Sequence, residues 1–400
     1  MIRLFYRARL GLLAGLLAVS AVAQDVRVSK SGADKTTIDW SGFGAEGAEA
    51  ALFLKTVQND LERSGWFELA APGRAELRVT GNGAVRKGEI SVQCRVVAAA
   101  GSVLLSRTWR APEGQARRLA HLVADALTEA IGQKGFASAR LVLVGNRTGK
   151  KELYVCDSDG ANLQQLTQDK GLNLYPRWSP DGKRIIYTGY LRGFPDLYQV
   201  ELESGRRQTL SNFPGLNAGG ALSPDGRYMA LILSRDGNPE LYVRDTRSGA
   251  LTRMTKTLRA IESSPSWSPD GRTLVFVSDL SGTPQLYLAA RDGGPMRRMT
   301  GRGAENVAPH WGANGLITFA SRMGRAYQIG ILNPETGETR MLSLSGSSYE
   351  DPSWAPNGRH LAATRVEGGR SSISLIDTMT GKELPLLSIS GDWFSASWSW

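Results

Sequence analysis

The residues that could catalyse a reaction or hold a metal are few and scattered. The sequence has three histidines, His121, His310 and His360, and each falls in a different part of the chain. A metal centre needs three or four ligands that converge on one point. Segment 145–151, GNRTGKK, resembles a phosphate-binding loop, but three residues instead of four separate its glycines, and Lys151 replaces the Mg²⁺-binding hydroxyl. The sequence therefore predicts no metal and no cofactor.

The commonest polar motif, Ser-Pro-Asp-Gly, indicates turns and not catalysis. It occurs at 179–182, 223–226 and 268–271. Proline pre-sets φ, aspartate bonds back to its own backbone and glycine tolerates positive φ, which together make a tight link between two strands. No G-x-S-x-G nucleophile elbow occurs. We expect no enzyme.

These turns belong to a repeat of 43 to 45 residues. Its anchor positions are Trp178, Leu222, Trp267, Trp311, Trp354 and Trp398. This period fits either a four-stranded propeller blade or a two-helix repeat. The content is strand, because residues 274–278 alternate inward and outward and 284–290 are apolar and β-prone without a helical stripe.

Six strands follow the turns and six anchor strands precede them, but the two sets are offset. The unit from Arg140 has no anchor strand before it, and the anchor strand at 395–400 has no unit after it. Closure of the first blade by the last strand leaves no unpaired edge. The prediction is an all-β six-bladed β-propeller over 140–400 that runs to the end of the sequence, which leaves no room for a hydrolase domain.

The start of the sequence predicts an export signal. Arg3, Arg7 and Arg9 precede an apolar run over 10–19 and an Ala-Val-Ala step that ends at Ala23. This is typical of a signal peptide at 1–23, and the run is too short for a membrane span. The mature chain is expected to be soluble, monomeric and exported to the periplasm.

Residues 24–139 predict a small α+β domain before the propeller. Helical patterns cover 46–64 and 115–133, and strand-like runs begin at 75, 88 and 102. The second helix has an apolar set comprising Leu119, Leu122, Val123, Ala126, Leu127, Ala130 and Ile131. Cys94 alternates in register with apolar neighbours, so we expect a buried free thiol and no disulfide with Cys156. The net charge of +10 is diffuse and predicts no nucleic-acid partner.

An exported chain with this domain and six WSPDG-type blades resembles the TolB family, the periplasmic components of the Tol-Pal envelope system. The phrase NDLERSGWFEL at 59–69 and the position of Trp398 strengthen the resemblance, which covers nearly all of the mature chain. The blade motif alone also occurs in other propellers, including those of prolyl-oligopeptidase-like enzymes. The resemblance implies a scaffold that supports outer-membrane integrity and envelope constriction during cell division.

The resemblance also implies two partners. One is TolA, an inner-membrane-anchored protein, which would bind a short segment matched here by Gln24, Asp25, Val26, Arg27 and Val28. Alternation in this segment suits the addition of a strand to a partner's sheet. The same residues could instead form an edge strand of their own domain.

The other implied partner is the peptidoglycan-associated lipoprotein Pal, bound at one mouth of the propeller. Loops that enter the anchor strands all reach the same end of a propeller. We expect these loops to place a set of polar and aromatic residues around that opening, namely Asn173, Tyr175, Asn217, Glu262, Ser263, Asn306, His310, Tyr349, Glu350, Asp351 and Trp393. The alternatives are an adaptor outside the Tol system, a glycan-binding propeller and a metal-dependent lyase.

Overall fold

The computed structural model describes residues 34–301, 305–342, 344, 346–387 and 389–399. The predicted signal peptide and the segment 24–28 lie outside these residues. Within them, the chain forms one five-stranded sheet followed by six four-stranded sheets. None of the helices in this part of the chain is long and apolar enough to cross a membrane.

The five-stranded sheet and two helices form the N-terminal domain. Its elements are β1 (Thr36–Ala45), α1 (Gly47–Arg63), β2 (Phe67–Leu69), β3 (Leu77–Arg86), β4 (Glu89–Ala98), β5 (Val103–Pro112) and α2 (Ala116–Ala130). The strand order is β2-β1-β3-β4-β5, and β1 is parallel to both of its neighbours. The α+β prediction is confirmed. Strands β1 and β2 were not predicted, because glycines and a bulge interrupt the alternation of β1 and because β2 has only three residues.

Both helices pack their apolar faces on this sheet. The core joins residues of α1, α2 and β4, including Phe53, Val57, Leu61, Leu119, Val123, Leu127, Ile90, Val92 and Cys94. The prediction that Leu122 belongs to the buried face is wrong, since its side chain is 43% exposed. Cys94 and Cys156 are free and buried, as expected for Cys94, and burial raises the pKa of each thiol to about 12.

The remaining 24 strands form the six blades. In chain order they are β6 (Arg140–Gly145), β7 (Glu152–Asp157), β8 (Gln164–Gln165), β9 (Asn173–Trp178), β10 (Arg184–Gly189), β11 (Asp196–Glu201), β12 (Arg207–Ser211), β13 (Asn217–Leu222), β14 (Tyr228–Leu233), β15 (Glu240–Asp245), β16 (Leu251–Arg253), β17 (Glu262–Trp267), β18 (Thr273–Ser278), β19 (Gln285–Ala290), β20 (Arg297–Arg298), β21 (Asn306–Trp311), β22 (Ile317–Met323), β23 (Ala326–Leu332), β24 (Thr339–Met341), β25 (Ser348–Trp354), β26 (His360–Glu367), β27 (Arg370–Asp377), β28 (Glu383–Pro385) and β29 (Trp393–Trp398).

Blade 1 is closed by the last strand, which confirms the predicted closure. Its order is β29-β6-β7-β8, whereas blades 2 to 6 each use four consecutive strands. Trp398 is paired with Leu141 and Trp393 with Gly145. Each anchor strand also contacts the preceding blade. For example, the Trp178 indole donates to the carbonyl of Ser397 at 2.9 Å.

The antiparallel blades give the propeller two different faces. The Ser-Pro-Asp-Gly turns and the links between the third and fourth strands of each blade lie at one end, here called the proximal face. Links between the second and third strands, and between successive blades, lie at the other end, here called the distal face. The N-terminal domain packs on the proximal turns of blades 1 and 6, where Arg63 donates to Ser158 O and Arg359 stacks on Trp66. The distal face is left uncovered by that domain.

Candidate protein-binding face of the propeller

The distal face carries most of the exposed large hydrophobic side chains in the described chain. Nine of the thirteen lie there, and they are Tyr175, Leu191, Phe194, Phe213, Leu258, Ile261, Leu280, Met323 and Ile389. Leu258 is 98% exposed and Phe194 is 70% exposed. This bias toward one end makes the distal face the candidate interaction surface, because exposed hydrophobic residues scattered singly would show no such bias.

The innermost strand of every blade is distorted near its distal end. A register shift interrupts the pairing of each of these strands with the next strand. The third or fourth residue of each strand has φ between +47° and +67°, and the six residues are Tyr175, Gly219, Ser264, Ala308, Asp351 and Ser395. Five of the six are not glycine, so each holds a backbone conformation that costs energy. Such bulges turn side chains away from the strand, and here they turn them toward the channel.

These turned residues line a cavity of about 290 Å³ at the distal end of the central channel. A second cavity of about 180 Å³ lies toward the N-terminal domain and is lined by Lys134 and His310. Arg177 borders both cavities. Burial and then the nearby Arg177 lower the pKa of His310 to about 3, and its Nδ1 accepts the backbone N–H of Trp354 at 2.9 Å. His310 is therefore neutral and lies inside the channel, not at the distal opening.

The predicted loop residues differ in burial in the structure. Six of them are buried at the starts of the innermost strands, five as the first residue of a strand and Tyr349 as the second, and they are Asn173, Asn217, Glu262, Asn306, Tyr349 and Trp393. All six lie at the distal end, but the expectation that they display their side chains around the opening is wrong for five of them, and Glu262 is buried beside the distal cavity. Of the eleven predicted residues, Tyr175, Glu262, Ser263 and Asp351 line the distal cavity.

The buried first residues hold the distal loops in place. Asn217 accepts the backbone N–H of Phe213 and donates its amide to the carbonyl of the same residue, at 2.9 and 2.7 Å. Trp393 donates to Ile389 O at 3.2 Å. Phe213 and Ile389 are among the exposed apolar residues, so these bonds position the surface from beneath.

Acidic groups stand beside the channel on the blade 6 side. Asp351 accepts the hydroxyl of Ser395 at 2.6 Å, and burial followed by repulsion from Asp351 raises the pKa of Glu350. The apolar groups that sequence reasoning missed, such as Leu258 and Phe194, are on the opposite side, in blades 2 to 4. The only feature of the sequence that could have identified them is the presence of a large apolar residue within a loop.

A pair of buried carboxyl groups supports the loop that carries Leu258. Between blades 1 and 2, the Asn173 amide donates to Glu152 at 3.0 Å, and between blades 4 and 5 the Asn306 amide donates to Gln285 at 2.9 Å. At the corresponding place between blades 3 and 4, the first residue is Glu262, whose neighbour is Glu240. A carboxyl group can replace the asparagine donor only when it is protonated.

The two carboxyl groups therefore divide one proton between them. Both side chains are fully buried. Burial and then repulsion from Glu240 raise the pKa of Glu262 to about 7. Burial also opposes the charge on Glu240, but hydrogen bonds from Thr255, Arg253 and Thr257 hold the pKa of Glu240 below its usual value. Glu262 is the group that keeps the proton, because two adjacent buried carboxylates cannot both be ionised.

This pair makes stability depend on pH. Glu262 ionises near 4.5 when unfolded and near 7 when folded, so its contribution is complete below pH 4.5 and is lost as the pH rises to 7. Glu262→Gln keeps a donor at every pH. Between pH 5 and pH 8, we expect the wild type to lose about 2 kcal/mol more unfolding free energy than Glu262→Gln does in urea titrations. The exposed Glu338→Gln should behave as the wild type does, and equal losses in all three proteins would contradict the shared proton.

Comparison with known proteins agrees with this architecture. A family model described as TolB beta propeller domain matches residues 127–400. The Tol-Pal system protein TolB of Aromatoleum aromaticum is 32% identical over 206 residues, which cover 46% of this chain and 48% of that protein. The protein TolB homolog of Chlorobaculum tepidum is 29% identical over 194 residues, which cover 42% of this chain and 44% of that protein. The chain thus spans less than half the length of these curated relatives.

One solved structure matches nearly the whole chain. The crystal structure of TolB from Acinetobacter baumannii has a TM-score of 0.79 and 26% identity, and the match covers 92% of this chain and 97% of that one. A putative TolB from Agrobacterium tumefaciens, with a TM-score of 0.53 and 20% identity, shares the fold. With a family model that covers well over half of its residues, the chain belongs to the family of TolB β-propeller proteins.

Proposed function

We propose that the protein is a periplasmic scaffold of a Tol-Pal system, which binds a Pal-like lipoprotein through the distal face. The proposal includes export by the signal peptide at 1–23, a two-part mature chain divided at about residue 139, and TolA binding by residues 24–28. The role in outer-membrane integrity and cell division follows from those partners. The observation that carries the proposal is the collection of nine exposed hydrophobic side chains on the face that the N-terminal domain leaves uncovered.

The chemistry of the distal face fits a folded protein partner. Apolar side chains of blades 2 to 4 offer anchors of the kind that dominate interface energies when they become buried. Glu350 and Asp351 lie on the other side of the cavity and favour a partner with basic or hydrogen-bond-donating groups there. The strained ring of innermost strands fixes the cavity between these two halves, so the partner would meet a preformed surface.

The test is calorimetric titration with the soluble peptidoglycan-binding domain of Pal from the same organism. Phe194→Asp combined with Leu258→Asp places two charges where apolar contact is expected, and this variant should bind about 100-fold more weakly than the wild type. Neither side chain supports the core, so the thermal midpoint should not change.

The matched control is Met379→Asp, which alters a half-exposed apolar side chain on the proximal face. We expect it to bind Pal as the wild type does. Saturable one-to-one binding that the Phe194 and Leu258 changes leave intact would move the Pal site away from the distal face. A folded wild type that shows no binding would contradict the scaffold role itself.

A further inference from the structure

Four charged or ionisable residues meet where the N-terminal domain contacts blade 1. Asp60 comes from α1, His121 from α2, and Asp157 and Asp159 from the end of β7 and the turn after it. No local pattern in the sequence connects these four residues, and the prediction of no metal rested on the scatter of the histidines alone. None of these residues belongs to the distal face.

His121 has one satisfied ring nitrogen and one free one. Its Nδ1 lies 2.7 Å from Asp60 Oδ2, while the side chain is 4% exposed. Its Nε2 is buried and makes no hydrogen bond to the described residues, and it lies 3.7 Å from Asp157 Oδ2. A carboxylate that holds one ring nitrogen while the other faces a ligand site is the arrangement seen at metal-binding histidines.

The two aspartates complete a three-ligand set. One ligand atom from each of His121, Asp157 and Asp159 lies within 4.8 Å of the others. Ligands at zinc distances in a tetrahedron are about 3.4 Å apart, so only a small inward movement is required. Asp157 also accepts from Asn162, and Asp159 is paired with Arg117. A cavity of about 890 Å³ is bordered by His121 and Asp157.

We propose that His121, Asp157 and Asp159 form a site for a divalent transition-metal ion, with Zn²⁺ as its representative. One imidazole and two carboxylates suit such an ion, whereas Ca²⁺ and Mg²⁺ require six or more oxygen ligands. The carboxylates of Asp60, Asp157 and Asp159 surround the imidazole and make the local field favourable for a cation. The metal would bind at the unpaired Nε2.

Such an ion would join the N-terminal domain to the propeller. His121 belongs to α2 and the two aspartates belong to blade 1. A bound ion would therefore have ligands from both the N-terminal domain and the propeller. Arg63 and Arg117 already connect the same surfaces through Ser158 and Asp159. Metal binding would add to these contacts and make separation of the two parts more costly.

The first experiment is calorimetric titration of the untagged protein with ZnCl₂, with CaCl₂ in a parallel arm. We expect saturable binding of one Zn²⁺ per chain, no comparable binding of Ca²⁺, and visible absorption typical of tetrahedral coordination when Co²⁺ is used. His121→Gln and Asp157→Asn should each weaken Zn²⁺ binding at least tenfold.

Asp245→Asn is the matched control, because Asp245 ends the third strand of blade 3 as Asp157 ends that of blade 1. It should bind Zn²⁺ as the wild type does. If His121→Gln fails to fold, Asp157→Asn still decides the question, with circular dichroism to confirm its fold. Absence of one-to-one Zn²⁺ binding, unchanged binding in a folded Asp157→Asn, or an equal response to Ca²⁺ would overturn the proposal.

Discussion

A chain that ends at residue 391, before β29, is expected to lose the cooperative unfolding transition of the propeller. Strand β29 is the innermost strand of blade 1 and also contacts blade 6 and the link from the N-terminal domain. Phe136 in that link packs edge-on against Trp398 at 5.6 Å. Without β29, strand β6 becomes an unpaired edge at the centre of the molecule.

The energy at stake is comparable with the whole stability of an ordinary domain. Trp393 is 1% exposed and packs edge-on against Tyr154 at 5.1 Å, and Trp398 is 5% exposed. Removal of one buried tryptophan side chain costs about 3–5 kcal/mol, and folded domains are stable by about 5–15 kcal/mol in total. Loss of both indoles together with the pairing of a central strand therefore leaves little or no net stability.

The prediction can be separated from a general effect of truncation. Trp393→Ala and Trp398→Ala should each lower the unfolding free energy by about 3–5 kcal/mol, whereas Phe394→Ala, which changes a half-buried ring over Lys151, should cost less. A synthetic peptide of residues 391–399 added to the shortened chain should restore part of the transition. A shortened chain that unfolds cooperatively at the wild-type midpoint would show that closure by β29 is dispensable.

Closure of the propeller by its last strand was predictable because it depends only on the number of strands in the repeats. Six anchor strands and six following strands, offset by one, leave few arrangements without an unpaired edge, and the motif near Trp398 provides the missing partner. The alternation in β4 likewise fixed which residues are buried, including Cys94. Both predictions rest on periodic side-chain burial, which a sequence shows directly.

The direction of individual side chains at the distal end was not predictable in the same way. The repeat gives the position of Asn173 along a strand but does not show that its side chain turns into the blade to meet Glu152. A bulge two residues later then turns Tyr175 toward the distal cavity, and its positive φ has no signature in a tyrosine followed by proline. The exposed Leu258 lies in a loop, where no periodicity exists to assign burial.

Contacts between the N-terminal domain and the propeller join residues that are tens to hundreds of positions apart. Arg359 and Trp66 meet across this boundary, as do His121 and Asp157. No local pattern connects such residues, because their proximity depends on how two separately folded cores are placed against each other. Arg359 in particular occupies the position after a turn glycine, where blades 2 to 4 carry the exposed basic residues Lys183, Arg227 and Arg272.

Among the charged residues at that boundary, Arg359 is expected to be the one whose substitution lowers the unfolding free energy most. Its Nε and Nη2 donate to the two carboxylate oxygens of Asp377 at 3.0 and 2.6 Å, and its guanidinium lies 4.1 Å from the centre of the Trp66 ring. The side chain is 5% exposed. Burial alone would favour a neutral Asp377, but the paired donors of Arg359 hold the pKa of that carboxyl below its usual value.

Arg359→Met should therefore lower the unfolding free energy by about 3–5 kcal/mol at pH 7, because a buried charge on Asp377 is left without its partner. The loss should shrink as the pH falls, since the stabilising contribution of Asp377 exists above its unfolded pKa of 3.8 and disappears when the folded carboxyl becomes protonated. Arg359→Lys should also be destabilising, because an ammonium group can neither pair in a fork nor stack on the indole.

Two further variants test whether the effect comes from the unpaired charge. Asp377→Asn in the Arg359→Met background should recover part of the stability, since it removes the charge that was left unpaired. Arg272→Met changes the residue at the same position of the blade 4 turn, where the side chain is exposed, and should cost less than about 0.5 kcal/mol. If Arg359→Met and Arg272→Met unfold at the same urea concentration, the buried pair contributes nothing, and the boundary must be held by Phe136 and the cluster around His121 instead.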